Sequence, residues 1–532
     1  MTAEDHPAEG AAAAAARRRT FAIISHPDAG KSTLTESLAL NARAIEEAGH
    51  IHGKAGRSAT VSDWMGMEKD RGISISSASM QLEHRGTVLN LLDTPGHADF
   101  SEDTYRVLAA VDAAVMLIDA AKGLEPQTMK LFNVCRHRGI PIITVINKWD
   151  RPGLEALELI DEIREETGLD PTPVTWPVGI AGDFHGYLER RTGDLTLIRA
   201  TPGGRRSAEE EHFSAEEATP EALGLPELAE AREESELLGA SGADHDQETF
   251  LAGISTPVFF AAAVRHLGVP RLLDALVELA PSPEPRPDAE GESRPLDAPF
   301  SAFTFKIQSG MDAAHRDRLA FVRVCSGVFR RGMTVTSART GRPFSMKYAH
   351  LAFGRTREVV DVAYPGDVVG IVNASALRIG DTLYEAQPVE YPPLPRFAPE
   401  HFAVARPADM GRMKQFRRGV EQLEAEGVIQ VLRSEVRGTH VPVLAAVGPM
   451  QFEVVDHRLR EEFRSSAKLE PLEHSLARAT DEPSSHELAG LAGVEVLERS
   501  DGQLLALFRD RWHLLGIERT RTHLRLDPLV AA

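Results

Sequence analysis

Short, almost continuously apolar runs recur through the first 280 residues, each closed by turn residues and followed by a stretch with helical spacing. Residues 21–24 (Phe-Ala-Ile-Ile), 88–92, 114–118 and 142–146 have the texture of strands buried on both faces of a parallel sheet. Residues 156–166 have the spacing of an amphipathic helix. This alternation predicts a doubly wound α/β domain over residues 17–281. Residues 1–16, acidic and then six alanines, read as a disordered tail ahead of it. An insertion at about 180–250 breaks the pattern and is expected to be a helical outgrowth with flexible parts. Residues 282–296, rich in proline, read as a linker.

The period then changes. Over 297–391, short alternating runs such as 303–307 and 321–325 are separated by glycine turns, which predicts a small β-barrel. Over 392–532 the signals mix, with a helix expected at 413–426 and a strand at 441–447. That is the texture of an α+β, ferredoxin-like domain whose last sixty residues are weakly patterned. No internal repeat is visible.

Composition narrows the class. A chain of 532 residues exceeds a single core. The 42% apolar and 26% charged fractions are those of an ordinary globular protein, and no run is long enough to cross a bilayer. The N-terminus lacks the layout of a secretory signal. Cys135 and Cys325 are too few and too far apart for a disulfide framework or a thiolate metal site, which fits the cytoplasm. The net charge of −20 would argue against a nucleic-acid partner, but it is unevenly spread. Between Ser207 and Glu248 stand fourteen acidic residues and one basic one. Basic groups stand out elsewhere, as at Arg17 to Arg19 and at Arg417 and Arg418. Global charge therefore neither demands nor forbids docking on an RNA machine.

Three motifs carry the chemistry, each at the end of an apolar run. The first is Ser25-His26-Pro27-Asp28-Ala29-Gly30-Lys31-Ser32, between a strand and a helix, as a phosphate loop requires. Its amides and the helix N-terminus would wrap phosphate oxygens, Lys31 would neutralise them, and the Ser32 hydroxyl would ligate Mg²⁺. The second is Asp93-Thr94-Pro95-Gly96-His97. Asp93 is placed to hold Mg²⁺ through water, the Gly96 amide to sense the γ-phosphate, and His97 to orient water. The third, Asn147-Lys148-Trp149-Asp150, selects the base. The Asp150 carboxylate matches the N1–H and N2–H₂ donors of guanine, which adenine does not offer, and the Lys148 stem can lie along the ring. Order, spacing and strand context together predict a Mg²⁺-dependent enzyme that binds and hydrolyses GTP. Position alone leaves Ser74, in Asp70-Arg71-Gly72-Ile73-Ser74-Ile75, as either a switch hydroxyl on Mg²⁺ or part of an exposed turn.

These residues resemble the translational GTPases. The phosphate loop with Ser25 in first position, the sequence Asp93 to His97, and Arg71-Gly72-Ile73-Ser74-Ile75 follow that group's pattern. Within it, the chain is similar to the bacterial class-3 peptide chain release factor family from about residue 17 to 460. Residues 62–69, 101–106, 175–178, 305–308, 315–318 and Gln451-Phe452 carry the likeness. The resemblance implies a P-loop G domain, a β-barrel and a third α+β domain. It gives Ser74 the Mg²⁺ hydroxyl role, Ala263 a backbone contact to guanine, and His97 the positioning of water once the ribosome activates it. It also implies a monomer off the ribosome, with no membrane partner, that promotes dissociation and recycling of class-1 release factors. Ala262 departs from the family's usual Ser or Thr, and the acidic insertion and the last sixty residues diverge. Ribosome protection, an elongation-like duty, or a non-ribosomal GTPase role are the alternatives.

Overall fold

The computed structural model describes residues 10–42, 79–95, 97–199, 209–309, 318–353, 356–372, 374, 376–394, 396–434, 437–438 and 441–529. In its first domain seven strands lie in the order Ser79–His84, Thr87–Asp93, Arg18–Ser25, Ala113–Asp119, Ile142–Asn147, Ser255–Phe260 and Asp170–Pro173. Every neighbouring pair is parallel except the hairpin of the first two. Ala113–Asp119 and Ile142–Asn147 are buried along their whole length, which is why they read as unbroken apolar runs. From Arg18–Ser25 the chain passes to Thr87–Asp93 on one side and then to Ala113–Asp119 on the other. Ligands of open parallel sheets bind beyond the strand ends at such a reversal. Ser25, Asp93, Asp119 and Asn147 are each the last residue of their strand and meet there.

Two expectations for this region change. The alanines Ala11–Ala16 are a helix and not part of a disordered tail, with Ala11, Ala14 and Ala15 buried. Alanine gives up no side-chain entropy in a helix, and Asp297 accepts from the Ala12 N–H at 2.9 Å. The insertion is only partly helical. Glu209–Phe213, Leu195–Arg199, Gly186–Glu189 and Thr175–Val178 form a four-stranded antiparallel sheet, and Trp176 donates to Glu234 of helix Glu227–Ala240 at 2.8 Å. Glu209–Phe213 is an edge strand whose charges discourage further pairing and mask it in the sequence.

The linker holds a short hairpin, Arg286–Pro287 against Ser293–Arg294, and the Arg286 guanidinium lies 4.3 Å from the Phe303 ring centre. The β-barrel domain follows, built around Ser301–Ser309 and Arg318–Ser326, whose register slips between Thr304 and Lys306. It is pinned to the first domain by Arg323, which donates to both Asp112 oxygens at 2.7 Å, and by Arg18 to Asp367 at 2.9 Å. Both cysteines are buried and free, and burial pushes the Cys135 thiol up to about 12.

The third domain is one seven-stranded antiparallel sheet in the order Ala467–Pro471, His401–Pro407, Val443–Ala446, Gln430–Arg433, Val494–Arg499, Leu504–Phe508 and Leu476–Thr480. Its first four strands, with helices Met413–Ala425 and Met450–Glu461, make a ferredoxin-like βαββαβ unit. The last three, with helices Glu482–Leu488 and Arg511–Thr520, repeat the same order without a fourth strand. The halves join where Leu432 pairs with Arg499. So the weakly patterned C-terminal residues complete a structural repeat that the sequence does not display.

A buried ion cluster holds this domain near its junction with the others. Arg458 donates to Glu426 Oε2 at 2.6 Å and to Glu462 at 2.5 and 2.8 Å. Burial opposes the Arg458 charge, but Glu426 and Glu462 outweigh it and keep the guanidinium protonated. Arg458→Met would strand the buried Glu426 carboxylate. Its expected cost is about 3–5 kcal/mol, read as a lower urea midpoint for the third domain. Among the described residues, no helix is long and apolar enough to cross a membrane.

Candidate GTP-binding site

The strand Arg18–Ser25 opens into a loop that turns through left-handed backbone at Asp28 (φ 69°) and Gly30 (φ 98°) before helix Lys31–Asn41 begins. A Cβ on Gly30 would stand 2.5 Å from Asn147 Nδ2. Gly30→Ala therefore combines backbone strain of about 1–3 kcal/mol with a collision. It is expected to lower GTP and GDP affinity alike by at least about tenfold, measurable by fluorescent-nucleotide titration. The loop is braced from outside. His26 donates its backbone N–H to Thr128 Oγ1 at 3.1 Å, and its ring lies 2.8 Å from Glu125 Oε2. Ser25 is buried at the strand end.

Lys31 Nζ lies 2.7 Å from Asp93 Oδ1, and both side chains are buried. A cation on the first residue of helix Lys31–Asn41, facing a carboxylate at the end of strand Thr87–Asp93, suits a phosphate–Mg²⁺ pair. Thr94 is fully buried and donates to Ile23 O at 2.7 Å, and Pro95 is buried beside it, so these two fix the loop's exit from the strand. His97 follows with its side chain 32% exposed, its Nδ1 3.2 Å from Asp99 Oδ1. Gly96, Ser74, Arg71 and the stretch around Trp64 lie outside the described residues.

Asn147 ties three loops together. Its Nδ2 donates to Ala29 O at 2.9 Å and its Oδ1 accepts from Ala263 N–H at 3.0 Å. The Ala263 amide, expected to face the guanine carbonyl, is thus given to Asn147, because the short loop after Ser255–Phe260 folds directly onto that side chain. His266, in left-handed backbone, anchors the same loop to the phosphate helix through Ser37 Oγ at 2.6 Å. Lys148, also left-handed, places Nζ 2.8 Å from Asp119 Oδ2. Trp149 departs from its assignment to the nucleotide. It is 1% exposed, stacks edge-on against Phe260 at 4.9 Å, and donates its backbone N–H to Ala261 O. An indole so placed seats the motif in the core and presents no face to a base.

Asp150 fits a guanine. Its side chain is nearly buried, Oδ2 meets Arg265 Nε at 3.3 Å, and Oδ1 is buried with no hydrogen-bond partner among the described residues. A buried carboxylate oxygen in that position calls for donors. Asp119, Arg265 and Asp99 are the site residues that motif reading missed. Only Asp119, a charge closing a buried apolar run, left a signal in the sequence.

Comparison with known proteins agrees with this arrangement. Residues 16–282 match the family model "Elongation factor Tu GTP binding domain", and residues 299–386 match "Elongation factor G domain 2". A crystal structure from Thermus thermophilus superposes with a TM-score of 0.69 at 21% identity, covering 91% of this chain and 71% of that one, and shares the fold. The fold and its strand-end motifs therefore define a translational GTPase. Residues 391–518 match "Class II release factor RF3, C-terminal domain". Peptide chain release factor 3 of Synechocystis sp. is 47% identical over 96% of this chain and 94% of its own, and that of Gloeobacter violaceus is 45% identical over 97% and 98%. The chain belongs to the peptide chain release factor 3 family.

Proposed function

We propose that this GTPase acts on the ribosome after translation termination, where GTP binding drives off a class-1 release factor and hydrolysis then frees the protein for another round. The observation that carries the reading is likeness along nearly the whole chain, third domain included, to relatives named peptide chain release factor 3. Such a cycle needs a site that distinguishes GTP from GDP and a domain junction that responds. The first need points to the loop from Asp93 to His97, beside the phosphate loop.

Within the site, the phosphate-loop amides and Lys31 bind and orient the β- and γ-phosphates, and Asp150 reads the base. Ser32, Asp93 and Ser74 would hold Mg²⁺, which supplies charge neutralisation on the phosphate oxygens when bound. His97 orients the attacking water once the ribosome presses on it. Off the ribosome the protein is a slow GTPase, a monomer in the cytoplasm. The test is multiple-turnover peptide release with class-1 factor well below the ribosome concentration. Added protein and GTP should raise the number of peptides released per factor, and no rise would leave a GTPase of other duty.

A further inference from the structure

The nucleotide site and the third domain share one carboxylate. Asp99 Oδ1 lies 3.2 Å from His97 Nδ1, while Asp99 Oδ2 accepts the N–H of Met450 at 2.7 Å. Met450 is the first residue of helix Met450–Glu461 in the third domain. The contact is built on both sides. Next to Asp99, Phe100 is buried against Val454 of the same helix, with Val428 and Met450 around them. The turn before the helix is fixed by Gln451, whose Oε1 accepts from Val447 and Gly448 N–H at 2.7 and 3.1 Å and whose Nε2 donates to Val428 O at 2.6 Å. Gly448 lies so close that a Cβ there would collide with the Asp99 carboxylate.

We propose that Asp99 is a positioning residue through which the seat of the third domain sets the orientation of His97. The proposal rests on His97 being the water-orienting residue. An imidazole whose Nδ1–H donates to a carboxylate presents a bare Nε2, the acceptor that an attacking water requires. Asp99 supplies the alternative as well. Its own backbone N–H lies 3.3 Å from the same Nδ1. With the carboxylate gone or turned away, that N–H favours the opposite tautomer, which presents Nε2–H and cannot accept from water. The Met450 N–H holds the carboxylate in place, so movement of the third domain changes what His97 can do.

Gly448→Ala tests this from the third-domain side without altering any residue of the G domain. Gly448 is not among the positive-φ glycines, so its backbone tolerates alanine and the added methyl acts on Asp99. Ribosome-stimulated hydrolysis would be measured for Gly448→Ala, Asp99→Ala, the double variant and His97→Ala, with unfolding midpoints alongside. Gly448→Ala should lower stimulated kcat about 10–100-fold, the range for positioning partners, with KM for GTP unchanged. In the Asp99→Ala background the same change should have almost no further effect, because the group it displaces is absent. Retained turnover in His97→Ala would remove the reading on which the proposal rests. Loss in His97→Ala, with Gly448→Ala silent, or with Gly448→Ala costing the same in both backgrounds, overturns the shared carboxylate alone. A rise in hydrolysis in Gly448→Ala also overturns it, since the contact would then restrain His97.

Discussion

Replacing His97 with alanine should leave GTP and GDP affinity within about threefold while lowering ribosome-stimulated turnover by about two to four orders of magnitude, the usual contribution of a positioned acid–base group. The geometry separates the two effects. Lys31, Asp93 and the Asn147 loop contacts are anchored by partners other than His97. The His97 ring makes its contacts within its own loop, to Asp99 and edge-on to Phe100 at 6.4 Å. Truncating it leaves the binding framework standing. Rapid-quench measurement of GTP cleavage on saturating ribosomes reads the effect directly, and stimulated turnover at the unsubstituted rate would remove His97 from the mechanism.

Asp150→Asn is the second large expected effect. The carboxylate can accept from both N1–H and N2–H₂ of guanine, whereas an amide has one oxygen and one NH₂ group to offer. GTP affinity should fall by at least about 100-fold, as buried polar groups are left mismatched. Xanthine carries an oxygen where guanine carries the amino group, so the new NH₂ group has an acceptor and XTP affinity should rise. Competition between GTP and XTP for a fluorescent nucleotide measures both. Unchanged GTP affinity would contradict the base-reading role. Arg265 sharpens the test, because its partial pairing with Asp150 Oδ2 leaves Oδ1 as the oxygen that most needs a donor.

Much of the nucleotide-site framework was legible because buried parallel strands have a pattern that polar surroundings cannot imitate. The runs at 21–24, 88–92, 114–118 and 142–146 lie inside strands that end at Ser25, Asp93, Asp119 and Asn147. Contacts across the fold left no local trace. Neither the Asn147 bridge between Ala29 and Ala263 nor the Lys148–Asp119 pair follows from spacing. Trp149 misled because a residue inside a binding motif can serve the core, and only burial tells the two apart. The C-terminal repeat was hidden by strands such as Leu476–Thr480 and Val494–Arg499, whose half-buried positions carry charged and polar residues and so lose apolar alternation. In the acidic insertion, charge on the edge strand Glu209–Phe213 had the same effect.

The most direct test of the account follows a fluorescently labelled class-1 release factor on ribosomes that have already released their peptide. Dissociation should accelerate on mixing with this protein and GTP, and should not do so with GDP or with the protein alone. A dissociation rate that stays the same with GTP present would contradict the proposed role.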